Sequence, residues 1–305
     1  MKFLHTVPNV PPSFSQPAQP TPTPAAIVQA TERVVAKVEA TETRDNKFVI
    51  PKVIHQVWIG HKIPPMAWIN TWRIHYIGKN PGWTYRLWRE KDVNQLVEQL
   101  GDGFINRDLM ERAQDYAGKV DVIRLNILKA HGGVYIDADS EWINNKSLNP
   151  ILEKADGSGF FVGQEPPLPD KPPLLFANGV MGSTANHWFL DKVLEQQRNL
   201  SAANPGGASW QTLGPMAMTA AVTQVGRGKI TTLPPETFYP QTWVNVGKDN
   251  AFDASAFPNS YMRQLGYTTN GYTDEDISRQ LLQAGRPPAH VSKGTKRRAT
   301  TKKRK

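Results

Sequence analysis

Asp137 and Asp139 stand two residues apart at the end of an apolar run, Gly132-Gly133-Val134-Tyr135-Ile136. Side chains at i and i+2 of a strand point to one face, with Cα atoms roughly 6.5 Å apart, so the two carboxylates could share one divalent cation and its waters. Carboxylate oxygens suit Mg²⁺ or Mn²⁺, which bind through one or two carboxylates plus substrate phosphates. The competing reading is a solvated turn, because two aspartates at this spacing also arise by chance.

The element before this run must position it. From Asp115 to Ala130, Val120, Ile123, Ile127 and Leu128 recur at helical spacing, and Gly132-Gly133 supplies a stop before the strand. Asp121 and Arg124 are neighbours on that helix. They form either a surface ion pair of little consequence or, with the helix packed beside the strand, an acceptor and a fixed cation for a polar ligand. Upstream, Val53, Ile54, Val57 and Ile59 make a short β run that Gly60 and Pro64-Pro65 end in a loop. Trp58 falls at the carboxyl end of that strand, the edge where ligands dock on open α/β sheets. It could stack on a nucleobase there or serve as core. Trp68, Trp72, Trp83 and Trp88 read as packing.

Two blocks together carry a resemblance. Lys119-Val120-Asp121-Val122-Ile123-Arg124 through Tyr135-Ile136-Asp137-Ala138-Asp139 resembles the sugar-binding Asp-x-Asp region of glycosyltransferase family 32. The family is related to the catalytic domains of large clostridial glucosylating toxins and to yeast-type α-mannosyltransferases. Ile50-Pro51-Lys52-Val53-Ile54-His55-Gln56-Val57-Trp58-Ile59-Gly60, followed by Trp72-Arg73 and Asn80-Pro81-Gly82-Trp83-Thr84-Tyr85-Arg86-Leu87-Trp88, is similar to the family's first two strands and nucleotide-contacting loop. The blocks span about 48 to 143, in the family's order.

The resemblance implies a GT-A-like α/β fold, with a mixed central sheet and helices on both faces. It also implies metal-dependent, retaining transfer of a hexose from a UDP- or GDP-sugar to a glycan, glycolipid or protein acceptor, with Mn²⁺ or Mg²⁺ as cofactor. It assigns metal contact to Asp137 and Asp139, with Asp139 on the diphosphate side and Asp137 reaching ribose, sugar or a metal-bound water. Asp121 and Arg124 would hold donor-sugar hydroxyls, with Arg124 also near a phosphate oxygen. Donor contacts are implied for Val57, Trp58, Tyr135 and Asn178 as well. Asn178-Gly179 is equally open to a tight turn, and Thr212-Leu213-Gly214-Pro215, similar to a family Gly-Pro element, to a proline in a helix's first turn. A helix is expected from His187 to Leu200. One departure stands out: the late His and Ser-Trp pair of many members, on a loop closing over metal and diphosphate, has no recognisable counterpart after Phe238-Tyr239-Pro240. That stretch offers Trp243, Asn245, Tyr261 and Tyr267, with His290 beside a basic tail.

Composition bounds the rest. Of 305 residues 39% are apolar, enough for one catalytic domain over 45–280. Residues 1–24 hold seven prolines and no charge beyond Lys2, the composition of an extended tail and not of a signal peptide. Residues 25–44, with Ile27, Val28, Val34, Val35 and Val38, read as a short amphipathic helix or linker. In the disordered tail expected over 281–305, eight basic residues and no acid lie between Lys293 and Lys305, and they account for all but one of the nine net positive charges. The tail suits polyanion or membrane-surface contact. The absence of cysteine excludes a disulfide framework and zinc-thiolate sites. No apolar run approaches the roughly 18 residues of a transmembrane span, so the expected location is cytoplasmic, with a membrane surface as a peripheral contact.

Two other classes compete with the glycosyltransferase. A haloacid-dehalogenase-type phosphatase would use Asp137-Ala138-Asp139-Ser140 as its nucleophile strand, but it needs a later acidic pair after an apolar strand. Asp274, Glu275 and Asp276 instead follow Gly271-Tyr272-Thr273, which reads as a polar turn. A noncatalytic polyanion-binding protein would act through the tail alone.

Overall fold

The computed structural model describes residues 48–167, 175–241, 252–267 and 270–284. The expectations for 1–24, for 25–44 and for the basic tail lie outside the described residues. A six-stranded sheet organises the rest. Its strands are β1 (Val53–Val57), β2 (Thr84–Trp88), β3 (Gly133–Ile136), β5 (Phe160–Gln164), β6 (Phe176–Ser183) and β7 (Thr231–Leu233), in the order β2-β1-β3-β6-β5-β7. β1 pairs in parallel with β2 and β3, and β5 with β7, while β6 runs antiparallel to both β3 and β5. One reversed strand therefore interrupts an otherwise parallel sheet. A two-stranded ribbon pairs β4 (Ser140–Trp142) with β8 (Met262–Gln264).

Strand residues alternate between two cores. Val57, Tyr135, Phe160, Val162 and Met181 enter one core, while Ile54, Val134, Ile136, Phe161 and Val180 enter the other, as the period-2 pleat requires. The first is covered by α1 (Glu90–Leu100), α2 (Tyr116–His131), α3 (Trp188–Ala203) and α4 (Pro215–Val225). The second is closed by Trp72 and Tyr76, by α5 (Asn149–Ala155), and by Phe238, Tyr239, Trp142 and Met262. Note that α5 precedes α3 and α4 in the chain. Both faces of the sheet are thus buried, as the mixed α/β expectation requires. Trp68, Trp72, Trp83 and Trp88 are all buried packing residues.

The helix before the aspartates is α2, capped by Asp115, whose Oδ1 accepts from the Gly118 amide at 2.6 Å. It ends at Gly132 and Gly133, with φ of 64° and 98°. A Cβ on Gly133 would stand 2.8 Å from the Val53 carbonyl oxygen, so glycine is what lets β3 enter beside β1. Asp121 through Leu128 are buried without a break, and the helix behaves as a central rod, not an amphipathic cover.

Two local expectations change. Asn178-Gly179 lies inside β6 and makes no turn: β5 pairs with β6 on either side of it, at Ala177 and Met181, and the Gly179 carbonyl accepts from the Asp137 amide at 2.8 Å. After the turn at Gly271, Asp274–Ala284 forms a helix, α6, with its three acids in the first turn, where they favour the helix dipole. The aspartate pair also lies just beyond β3, not within it. The Asp137 carbonyl accepts from the Ser140 amide at 3.2 Å and from the Ser140 hydroxyl at 2.6 Å, closing a turn. Chain reversal, and not the pleat, brings the two carboxylates together. Pro215 starts α4 at its first turn, as expected. No helix of the described residues is long and apolar enough to cross a membrane.

Candidate nucleotide-sugar site

The ends of β1 and β3 and the start of β6 meet at one edge of the sheet, and the polar residues there interlock. The Arg124 guanidinium, on α2, reaches Asp121 Oδ1 at 3.1 Å and Asp137 Oδ1 at 3.2 Å. It also donates to the Asn178 carbonyl at 2.8 Å and lies 4.6 Å from the centre of the Tyr135 ring. The Asn178 side-chain amide donates to Asp121 Oδ1 at 2.8 Å, and the Tyr135 hydroxyl to Asp137 Oδ1 at 2.8 Å. Asp121 and Arg124 are only 6% and 5% exposed, so the surface-pair reading is excluded. A buried ion pair holds when several groups satisfy it at once.

Neighbouring residues hold this network still. Gln56 is fully buried in β1; it donates to the Asp137 carbonyl at 3.1 Å and accepts from the Tyr85 hydroxyl at 2.7 Å. Gln197 on α3 donates to the Asp121 carbonyl at 3.0 Å. Gly214 opens α4, and a Cβ there would stand 2.9 Å from Asp121 Oδ2, so helix and carboxylate approach closely.

Asp139 is held from the far end of the chain. Its Oδ1 accepts from the Gln264 amide at 2.6 Å, and its Oδ2 from the Tyr267 backbone N–H at 2.7 Å. Tyr267 is also in edge contact with Trp58 at 5.0 Å, within a cluster formed with Trp68, Leu265, Tyr272 and Ile277. Trp58 thus joins the aspartates through Tyr267, and its indole N–H donates to the Lys62 carbonyl at 2.9 Å. The Val57 side chain points into the core beneath, leaving only its backbone at the edge.

Burial sets the protonation of these acids. It pushes Asp121 up to about 6, against the pull of Arg124 and the Asn178 amide. It also pushes Asp139 up to about 6, with the neighbouring Asp137 charge adding to it and the Tyr267 amide and Gln264 opposing it. Asp137 is raised by burial and restrained by Arg124. For Arg124, burial disfavours the charge, but Asp137, Tyr135 and Asp121 more than reverse this and hold it charged.

This donor set fits a hard divalent ion. A carboxylate that a neighbouring carboxylate raises, as Asp137 raises Asp139, gains from a shared cation. Asp137 Oδ1 is occupied by protein donors while Oδ2 faces Gly179. The Gln264 side-chain oxygen, on the amide that donates to Asp139, is buried with no hydrogen-bond partner among the described residues. No group of three or more His, Cys, Asp or Glu gathers for a metal among the described residues. Mg²⁺ and Mn²⁺ sites commonly need only one or two carboxylates, with phosphate and water completing the shell.

Sheet and site together define a mixed α/β protein with an Asp-x-Asp pair just beyond the carboxyl end of its central strand β3. Residues 66–157 match the family described as the glycosyltransferase sugar-binding region containing DXD motif, and the matched stretch includes Asp137 and Asp139. Among curated relatives, the chain is 30% identical over 158 residues to inositol phosphoceramide mannosyltransferase 1 of Schizosaccharomyces pombe, covering 51% of this chain and 44% of that one. It is 34% identical over 142 residues to the initiation-specific alpha-1,6-mannosyltransferase of Candida albicans, covering 42% and 35%. An uncharacterized glycosyltransferase of Acanthamoeba polyphaga mimivirus is 32% identical over 155 residues, covering 48% and 55%. The chain spans about half the length, or less, of these relatives. Among solved structures, the PaToxG glycosyltransferase aligns with a TM-score of 0.41 at 19% identity, covering 67% of this chain and 80% of that one. A glycosyltransferase involved in glycosylation of the major capsid of PBCV-1 aligns at 0.42 and 12%, covering 76% and 100%.

Gln56 and Gln264 join the site without being singled out by sequence, and Tyr267, which sequence offers only as one of several residues after Phe238-Tyr239-Pro240, joins through its backbone N–H. Gln56 sits inside the quoted first block, between His55 and Val57, where a polar residue on a short β run is the available signal. The contacts of Gln264 and Tyr267 with Asp139 span 125 and 128 residues and have no local signature.

Proposed function

We propose that this protein is a metal-dependent, retaining hexosyltransferase, taking its sugar from a UDP- or GDP-sugar and passing it to a glycan, glycolipid or protein acceptor. The observation that carries the proposal is the buried Asp121–Arg124–Asp137–Asn178 network at the carboxyl edge of the sheet, where open α/β folds receive nucleotides. Asp121 and Asn178 offer acceptor and donor atoms to sugar hydroxyls. Arg124 is fixed by its partners and places positive charge where the sugar–phosphate bond would break. Negative charge grows on the leaving diphosphate as that bond breaks, so charge already in position lowers the barrier. A bound Mn²⁺ or Mg²⁺, held by Asp137 and Asp139, supplies further positive charge to the diphosphate. Tyr135 keeps Asp137 oriented through its hydroxyl. Retention of anomeric configuration follows from the family resemblance, by same-face attack assisted by the leaving phosphate. The names of the yeast relatives make mannose the first sugar to try, and the proposed setting is cytoplasmic, at a membrane surface where the 293–305 tail makes contact.

The test is turnover of a panel of UDP- and GDP-sugars with Mn²⁺, with Asp139→Ala as the matched control. Turnover of one donor is expected, with a loss of about 100-fold or more in the variant. A folded wild-type protein that turns over no donor, and binds none, would overturn the proposal.

A further inference from the structure

The α2 network approaches Asp137 from one face of the sheet, and a second pair of side chains approaches from the other. Tyr239 is 7% exposed and belongs to the core on the face opposite α2. Its ring lies across two adjacent strands at positions without side chains. A Cβ on Gly163 of β5 would stand 3.0 Å from Tyr239 Cε2. A Cβ on Gly179 of β6 would stand 3.2 Å from the Tyr239 hydroxyl and 2.6 Å from Asp137 Oδ2. The phenol oxygen and the Asp137 oxygen that protein donors leave free thus border the same small space above Gly179. Among the described residues the buried hydroxyl makes no hydrogen bond of full geometry, and the Val180 backbone stands near enough only for a weak one.

A buried hydroxyl that no full hydrogen bond satisfies costs stability, and one that borders the free oxygen of Asp137 is best explained by a ligand that completes it. Glu165 supplies the complementary group. It directly follows Gln164, the last residue of β5, two residues beyond Gly163, where β5 shifts register against β6, the kind of irregularity that re-aims side chains beside sites. Its backbone N–H is engaged by the Leu175 carbonyl, while its carboxylate makes no hydrogen bond or ion pair among the described residues. Its charge and that of Asp137 both act on the Tyr239 hydroxyl. A hydroxyl donor beside an unpaired carboxylate matches a sugar hydroxyl, which both accepts and donates.

We propose that Tyr239 and Glu165 are sugar-binding residues on the face opposite Asp121 and Arg124, the Tyr239 hydroxyl donating to, and the Glu165 carboxylate accepting from, hydroxyls of the donor hexose. The inference deepens the donor reading above and rests on it.

Wild type, Tyr239→Phe and Glu165→Gln are titrated calorimetrically with Mn²⁺ and four probes: GDP-mannose, GDP, UDP-glucose and UDP. The expected result is that each variant weakens the nucleotide-sugar by about 10-fold and the bare nucleotide by less than about 2-fold, because only the sugar meets these residues. Tyr239→Phe keeps the ring, so its Tm is expected at or above the wild-type value. Equal weakening of sugar-bearing and bare nucleotides overturns the inference, as does no change in either. If binding holds but the KM for an added acceptor rises, the pair serves the acceptor and the donor assignment is wrong. A wild type that binds the bare nucleotides but neither nucleotide-sugar overturns the inference while sparing nucleotide binding. One that binds none of the four overturns the donor reading beneath it.

Discussion

A carboxylate enclosed beside a guanidinium ties the chemistry of this site to its pH response. Burial raises Asp121 to about 6, above the ordinary 3.8. Between those values the folded protein holds a proton that the unfolded chain has released. The contribution of this group to stability is therefore complete below about 3.8 and is lost as pH rises through about 6. At neutral pH the charged form prevails, and it is the form that the proposed function requires to accept sugar hydroxyls, so under that proposal readiness to bind is obtained at a cost in stability. Asp121→Asn retains most of the shape and removes the titration. Urea midpoints at pH 4.5 and 7 are expected to show the variant gaining stability relative to wild type as pH rises. A difference between the two proteins that stays constant with pH would place the proton elsewhere. The Asp121–Arg124 pair is visible in the sequence as helical neighbours, whereas its burial, on which its two readings differ, comes from the packing of α2 against the sheet and is not shown by spacing.

Elements that could be read locally were read well, and those defined by distant contacts were not. The helix expected over 115–130 is Tyr116–His131, and that expected over 187–200 is Trp188–Ala203, because periodicity and stop signals lie within each segment. The aspartate turn reads as the end of a strand, since the Ser140 bonds that close it follow the apolar run without altering its pattern. Asn178-Gly179 is open to a turn on local chemistry, and the pairing of β6 with β3 and β5 is not written in it. The segment that closes on Asp139 offers only scattered residues such as Tyr267, with nothing local that ties them to Asp139. The β1–β2 junction shows a further non-local device. His55 Nδ1 accepts from the Trp88 indole at 3.0 Å, and Nε2 sits 3.1 Å from the Gly132 carbonyl, which fixes a neutral ring with its proton on Nε2. Burial lowers it from 6.5 to about 4, with His131 and Arg86 adding to the effect and the Gly132 bond opposing it. Here the unfolded chain takes up the proton first, so this stability is present above about 6.5 and is lost as pH falls through about 4. The interval corresponds to about 3 kcal/mol. It opposes the Asp121 effect over the same range and flattens the wild-type profile. His55→Gln is expected to be less stable than wild type at pH 7, with the gap narrowing towards pH 4. Unfolding curves of that variant at both pH values are the check, and a gap that widens on acidification would contradict the neutral ring.

At the scale of the whole molecule, charge and chemistry separate. The site network is acidic in sum, one arginine against three aspartates giving a formal charge of 1 − 3 = −2 that suits a cation, whereas nearly all the net charge of +9 comes from residues 293–305. A basic cluster acts over about a Debye length and responds to salt, while a buried, hydrogen-bonded network is screened little. The two parts should therefore respond differently to the same perturbation. Deleting 293–305 is expected to leave the kcat for donor turnover within about 2-fold and to abolish salt-sensitive binding to vesicles containing anionic lipid, which at roughly 1 kcal/mol per basic residue near the surface is large enough to measure. Raising salt on the intact protein should reproduce the loss of vesicle binding without reproducing the loss of turnover seen in Asp139→Ala. If the truncated protein stays folded but loses all donor turnover, the network assigned here cannot be sufficient for the chemistry. The function would then have to be sought in the tail, as a noncatalytic polyanion-binding protein requires.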